Sequence, residues 1–325
     1  MNRSDSAGSS RRLFMVLTPR SLLYARIAVE SLFKNADEPF ELTLITDSKS
    51  DKQILLNELG SLKGFRALEQ SVSVFDEADL RMRELEKLEA YPNVMEFRRG
   101  HPCWRKITDP ILLSRDREEM IILDPDIVFP NEFRFERTLE SQLLLMWQKP
   151  SCLLPADVVY NAMRSGIALA HHTDIGVAQW RMPVDLPWLD WALGKLGAPN
   201  LPRNMHVESI VWAALAMRMG GGYLNPNLWL CWRRTQFKRI LRRLGGDGSL
   251  ILKGEPWKDI KCFHAGGEAK WWLSEAKGKG YLDAGDIKTC MTDPIPFEEL
   301  KPSMFARLEQ RRRWLRTLGY YSLFP

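Results

Sequence analysis

The sequence predicts an α/β fold: a mostly parallel, Rossmann-like central sheet flanked by helices, with an irregular, largely helical C-terminal part. Three observations predict it. Short apolar runs of strand length alternate with amphipathic helical stretches along the first half of the chain, the pattern of a doubly wound sheet. One run, Met120-Ile121-Ile122-Leu123, is continuously apolar, as expected of a strand buried on both faces in a parallel sheet. That run ends in Asp124 and Asp126 with Pro125 between them. Charge and proline both mark a chain leaving the ladder, at the sheet edge where open α/β folds bind ligands.

The elements follow in order. Residues 13–18 read as a buried strand. Ser21 is placed to cap a helix running to about Lys34. A second strand covers 40–47, a helix 52–63, a third strand 70–75 and a charged helix 77–90. A helix from about Trp104 to Ser114 leads into the strand that ends in the aspartates, and 143–147 is another apolar strand. Beyond Pro150 the pattern loosens: a strand at 174–180, a short helix at 186–197, a longer one at 206–220 stopping at Gly220–Gly222, a loop at 245–248 and a last strand at 259–264. There are no repeats and no low-complexity linker. The expected division is a disordered tail over 1–12, one domain over 13–290 and a basic helical extension over 291–325.

Composition narrows the classes. With 325 residues, 45% hydrophobic and 27% charged, the chain is long enough to bury a sizeable core. A net charge of +5 and a pI near 8.9 suit an anionic ligand or a membrane surface and are too mild to imply nucleic acid. Cys103, Cys152, Cys231, Cys262 and Cys290 are scattered, odd in number and free of CxxC spacing, so they read as reduced thiols of a cytoplasmic protein. No stretch approaches the length of a transmembrane helix. Twelve tryptophans are numerous enough to suggest stacking on a glycan as well as core packing.

Two carboxylates one residue apart suit a hard divalent cation that also holds phosphate oxygens; the plain alternative is an Asp-Pro turn after a strand. No GxGxxG follows the first strand, which argues against a dinucleotide cofactor. Residues 124–126 (DPD), together with 264–272 (HAGGEAKWW), resemble the metal-dependent GT-A-fold glycosyltransferases of family eight, the family of glycogenin and bacterial lipopolysaccharide galactosyltransferases. The DPD matches that family's metal-binding DxD, and His264, Gly267, Lys270 and Trp272 match its HxxGxxKxW motif.

The resemblance implies a GT-A fold and transfer of a hexose from a nucleotide-sugar, UDP-linked, to an acceptor hydroxyl with retention of anomeric configuration. It implies Asp124, Asp126 and His264 as ligands of Mn²⁺ or Mg²⁺, with Lys270 and Gly267 meeting the diphosphate. Lys106, beside Arg105, falls where the family has a donor-contacting lysine; the alternative is a solvated helix charge. Thr18, Arg20 and Tyr24 fall where the family contacts the nucleotide. Residues 174–177 (DIGV) resemble its NAGV-like segment, with Asp174 in place of asparagine. Its DQ pair near the reacting carbon is most resembled by Glu208-Ser209, a departure, since serine shortens the reach. Glu208 and Asp174 are expected to orient donor or acceptor sugar; a cap, a turn or an exposed helix face are their structural alternatives. A nucleotidyltransferase would bring a Gly-rich loop where residues 18–22 read TPRSL. A catalytically silent glycan-binding protein is the third reading.

One stretch lies outside these motifs. Residues 232–244 carry Arg233, Arg234, Lys238, Arg239, Arg242 and Arg243 with no acid, while Phe237, Ile240, Leu241 and Leu244 share one helical face. Such a helix lies on an anionic membrane surface, or packs that face on the core with its basic side solvated. The segment 307–325 has a similar character.

Overall fold

The computed structural model describes residues 10–60, 71–282 and 291–320. The expected N-terminal tail up to residue 9, the ends of the helix at 52–63 and the strand at 70–75, and Cys290 lie outside them.

The centre is an eight-stranded sheet of β1 (Arg11–Val16), β2 (Phe40–Ile45), β3 (Ser71–Phe75), β4 (Glu119–Leu123), β6 (Leu143–Trp147), β7 (Thr173–Arg181), β8 (Gly221–Tyr223) and β11 (Ile295–Pro296). Their spatial order is β11-β8-β6-β7-β4-β1-β2-β3. A small second sheet holds β5 (Ile127–Val128), β10 (Cys262–His264) and β9 (Trp229–Cys231), in that order. The three N-terminal strands pair in parallel with one another and with β4, as the β-helix-β alternation requires.

The apolar run of β4 is indeed buried on both faces. Ile121 and Leu123 pack with Leu13, Met15 and the Leu22–Asn35 helix, whereas Met120 and Ile122 face the Arg105–Leu113 and Val207–Met219 helices. Its pairing differs from the expectation of a parallel environment: β1 lies parallel on one side, but β7 lies antiparallel on the other. Continuous apolarity reports burial of both faces and leaves strand direction open.

Ser21 occupies the N-cap position of the Leu22–Asn35 helix, but its side chain caps no backbone N–H; its Oγ instead accepts the Tyr24 hydroxyl at 2.9 Å. The segment beyond 290 is more than a helical extension. It adds β11 to the edge of the main sheet against β8, and sets into the core Leu300, before the Pro302–Thr317 helix, and Phe305, in its first turn. Most tryptophans are core: Trp104, Trp180, Trp212 and Trp229 are fully buried. Stacking on a ligand is left to the few with exposed rings, Trp271 among them.

The Gln236–Arg243 helix buries none of its residues, and its apolar face is turned outward. The reading in which that face packs on the core is therefore corrected. The basic side chains reach back to the protein, and only Leu241 packs partly inward. No helix among the described residues is long and apolar enough to cross a membrane.

A buried charge network holds the Arg105–Leu113 helix against its neighbours. Arg98 donates to Asp109 at 2.7 Å and to Glu84 at 3.0 Å; Arg105 donates to Asp109 at 2.8 Å, to Asp47 at 2.8 Å and to the Thr46 carbonyl at 3.1 Å. Asp109 is fully buried and accepts from both guanidinium groups. Asp109→Ala removes the carboxylate shared by two buried guanidinium groups, leaving Arg98 with Glu84 and Arg105 with Asp47, and is expected to cost about 3–5 kcal/mol of unfolding free energy. Urea denaturation measures it, and a loss under about 1 kcal/mol would show that the network contributes little.

Candidate metal and donor site

Backbone pairing assembles the site from segments far apart in sequence. The chain leaves β4 through Asp124-Pro125-Asp126 and enters β5. On one side the Asp124 N–H donates to the Gly176 carbonyl at 2.9 Å, extending the β4–β7 ladder. On the other, Ile127 pairs with His264 in the antiparallel β5–β10 ladder, and the Ala265 N–H donates to the Asp126 carbonyl at 2.8 Å. The DPD turn therefore lies between the start of β7 and the end of β10. Asp174 and His264 are delivered to the same point.

His264 Nε2 lies 3.3 Å from Asp126 Oδ1 and 3.7 Å from Asp124 Oδ2, while its Nδ1 is 2.7 Å from Asp174 Oδ1. Asp174 Oδ1 also accepts the Gly176 N–H at 2.9 Å. Asp126, Asp174 and His264 are buried. One atom from each of Asp124, Asp126 and His264 falls within 4.8 Å of the others, a spacing a single cation can span. Two carboxylate oxygens and an imidazole nitrogen suit Mn²⁺, with Mg²⁺ able to replace it. The donor set expected from the sequence thus fits such a cation in chemistry and in convergence.

Burial opposes charge on His264, but Asp174 and then Asp126 outweigh it and hold the imidazolium well above the usual histidine range. Burial likewise pushes against ionisation of Asp126, yet His264 and Lys270 bring that carboxyl down to about 2. Asp174 is lowered for the same reason, the pull of His264 overcoming burial. Asp124 is raised by burial against the pull of Lys106, with the adjacent Asp126 charge adding to the rise. A second group, Asp174, Cys231 and His264, is equally close. Burial drives the Cys231 thiol far above its ordinary range, with the Asp174 charge adding to the rise; this set puts a soft thiol in place of a second carboxylate and suits Zn²⁺ more than Mn²⁺ or Mg²⁺.

Two lysines flank the acids. Lys106 is buried rather than solvated, with Nζ 2.7 Å from Asp124 Oδ1 and 3.1 Å from Glu208 Oε2. Lys270 Nζ lies 3.5 Å from Asp126 Oδ2 and 5.4 Å from the centre of the Tyr24 ring. Glu208 sits in the first turn of the Val207–Met219 helix, fully buried and not on an exposed face. Its other oxygen accepts the Trp212 indole N–H at 3.1 Å. Burial pushes its carboxyl up to about 8, with Lys106 opposing. Ser209 is buried beside it.

Thr18 and Arg20 lie on the turn that closes β1, which shares its C-terminal edge with β4. Thr18 is half-buried and Arg20 exposed. Tyr24 is buried and meets Trp271 edge-on at 5.4 Å between ring centres, so Tyr24, Lys270 and Trp271 make one wall. Gly267 has φ of +68°, a left-handed conformation, with nothing within 4 Å of an added Cβ. Glycine is required there by backbone geometry and not by space.

Sequence reading missed Gly176. A Cβ there would lie 2.5 Å from His264 Cγ and 2.6 Å from its Nδ1, so the imidazole rests directly on the bare backbone of β7. It also missed Trp212 as a support of Glu208, and the Arg98–Asp109–Arg105 network beneath Lys106. Gly176 lay inside a segment already singled out, and of the network only Arg105, beside Lys106, had been named.

No family model matches the sequence, and no curated protein matches it. Among solved structures, the chain is similar to mouse xyloside xylosyltransferase 1 in its apo form, with a TM-score of 0.53 and 11% identity over 80% of this chain and 99% of that one. At that identity the likeness is one of fold: the chain has the GT-A glycosyltransferase fold, as the sequence predicts.

Gly176→Ala is expected to push the imidazole off Asp126 and to weaken Mn²⁺ binding about tenfold or more, while costing about 1–3 kcal/mol through overpacking. Titration of Mn²⁺ followed by its electron paramagnetic resonance signal measures the first effect. Unchanged affinity would contradict the placement of His264 against Gly176.

Proposed function

We propose that this protein is a metal-dependent glycosyltransferase that moves a hexose from a nucleotide-sugar, UDP-linked, to an acceptor hydroxyl with retention of configuration. The observation that carries the proposal is the convergence of Asp124, Asp126 and His264 between two lysines, at the ligand-binding edge of a fold shared with a xylosyltransferase. Asp124, Asp126 and His264 would hold Mn²⁺ or Mg²⁺. When bound, the cation supplies Lewis-acid stabilisation of the charge that grows on the departing diphosphate.

The chain's own residues act around that centre. Lys106 and Lys270 bring compact positive charges to the diphosphate. Thr18, Arg20 and Tyr24 line the nucleotide end, and Trp271, at the rim, offers a ring face for stacking. Glu208 holds Lys106 in place through its carboxylate. Asp174 accepts the Nδ1–H of His264, which fixes the tautomer that presents Nε2 to Asp124 and Asp126. A sugar-contacting role for Asp174 or Glu208 requires the carboxyl group to serve these partners and the sugar at once: His264 and Gly176 share one oxygen of Asp174, whereas Lys106 and Trp212 each hold an oxygen of Glu208. The rate would come from positioning and from electrostatic stabilisation of the leaving group in a site with little water.

The test measures release of free nucleoside diphosphate from a panel of UDP- and GDP-sugars, with Mn²⁺, Mg²⁺ or EDTA. Release from one donor, dependent on metal and lost in Asp126→Ala and His264→Ala, is expected. Metal-dependent nucleotide binding without turnover of any donor, even with hydroxyl acceptors supplied, would favour a silent glycan-binding protein. Absence of both would sink the metal assignment. In the same series Asp174→Asn is expected to weaken Mn²⁺ affinity about 10- to 100-fold with the fold intact; an unaltered affinity would remove Asp174 from its proposed role.

A further inference from the structure

The Gln236–Arg243 helix inverts the usual arrangement of a surface helix. Lys238, Arg239 and Arg242 turn back onto the protein. Lys238 reaches Glu255 at 2.5 Å and the Trp232 ring at 4.0 Å; Arg242 lies 5.0 Å over Trp272. Arg239 donates to the Tyr320 hydroxyl at 3.0 Å, and the preceding Arg233 and Arg234 meet the Trp147 ring at 5.1 Å and Glu268 at 2.8 Å. The outward face is left to Phe237, Ile240 and Leu244, exposed by 72%, 47% and 79%. Leaving three large apolar side chains in water while anchoring the arginines beneath them is unfavourable for a helix whose only neighbour is solvent.

The end of the Pro302–Thr317 helix adjoins this face. Tyr320 bonds both Gln236 and Arg239, which sets the turn carrying Leu318 beside the 236–243 helix; Trp314 and Leu318 are exposed by 62% and 57%. Residues 232–244 contain six basic residues and no acid, and residues 310–320 four arginines and no acid. Arg234 and Arg242 pair with Glu268, Lys238 with Glu255 and Arg312 with Glu309, and the two stretches themselves supply these ten cations and no acid. Aromatic and aliphatic side chains projecting from a positively charged surround complement an anionic bilayer, whose headgroups take the charge while its acyl boundary takes the apolar tips. A soluble acidic partner would match the charge but leave the projecting tips no reason to stand clear of it.

We infer that this face is a membrane-docking surface for anionic phospholipid. Its place is functionally apt. The Arg234–Glu268 pair and the Arg242–Trp272 stack strap the helix to the loop that carries His264 and Lys270. Docking would therefore hold the mouth of the candidate site next to the lipid surface. The inference rests on this surface alone and does not depend on the proposed chemistry.

The test is co-sedimentation of the full chain with vesicles of phosphatidylcholine alone and of phosphatidylcholine with phosphatidylglycerol. Wild type is expected to sediment with the anionic vesicles, weakly with the neutral ones, and less as salt rises. Replacing Phe237, Ile240 and Leu244 together by serine is expected to reduce anionic-vesicle partitioning about tenfold or more. A Met82→Ser control, also an exposed apolar side chain but on the Glu77–Leu88 helix, is expected to change nothing. Near-ultraviolet circular dichroism checks that the serine variant keeps its packing. No sedimentation of wild type with anionic vesicles overturns the inference, as does sedimentation that survives the triple change. Concentration-dependent dimerisation lost in the serine variant, without vesicle binding, would assign the face to a second copy of the chain.

Discussion

The imidazole of His264 is gripped at both nitrogens, by Asp174 through Nδ1 and by Asp126 and Asp124 around Nε2. Three carboxylates about one ring make a cluster that strongly favours a positive charge at its centre. The carboxylates favour the imidazolium form of His264 against the cost of burial, so that a proton there can supply this charge. The same anionic cluster explains why both lysines are drawn in: Lys106 lies between Asp124 and Glu208, and Lys270 approaches Asp126. A cation in the proposed role would take the proton's place, leaving the lysines free to face a diphosphate. Thus one electrostatic arrangement accounts both for the charge on His264 and for the fit of the cluster to a cation.

That arrangement holds only if the backbone beneath it is rigid. β4 and β7 supply Asp124 and Asp174 from adjacent strands, and Gly176 leaves the room in which the ring lies flat against the sheet. β10 brings His264 from the small sheet by pairing with β5 directly after the aspartates. The helix that carries Lys106 is fixed by the pairs of Asp109 with Arg98 and Arg105. A second buried pair, Lys261 with Glu136 at 2.7 Å, ties the start of β10 to the loop before β6 and also holds the Trp229 indole. Buried ion pairs of this kind add little net stability, but breaking one leaves a charge without a partner. Their contribution here is to fix where strands and helices sit.

Much of this could be read in the sequence because it is local. Strand runs, the Asp-Pro-Asp turn and the spacing from His264 to Trp272 are properties of short segments, and they located the sheet edge and the three candidate ligands. Direction of pairing was not local: nothing in residues 119–123 distinguishes a parallel neighbour from the antiparallel β7. The role of Asp174 was hidden for the same reason, since its partner is ninety residues away. Lys106 was singled out through the family resemblance, but its burial was hidden, because the acids that hold it come from the end of β4 and from the Val207–Met219 helix. The outward turn of Phe237, Ile240 and Leu244 was least accessible. An amphipathic pattern gives a helix two faces but does not say which meets the protein, and here Glu255, Glu268 and the Trp232 and Trp272 rings draw the basic face inward.

The central claim is that the cluster exchanges a proton on His264 for a divalent cation, and proton release on metal binding tests it most directly. Calorimetric titration of Mn²⁺ near neutral pH, repeated in buffers of different ionisation enthalpy, counts the protons released. The account predicts about one proton per bound ion, because His264 is held charged without metal and must be neutral to ligate. Binding that tightens as pH rises would accompany it. Mn²⁺ binding with no proton release would show that His264 is neutral beforehand or takes no part, and would contradict the account.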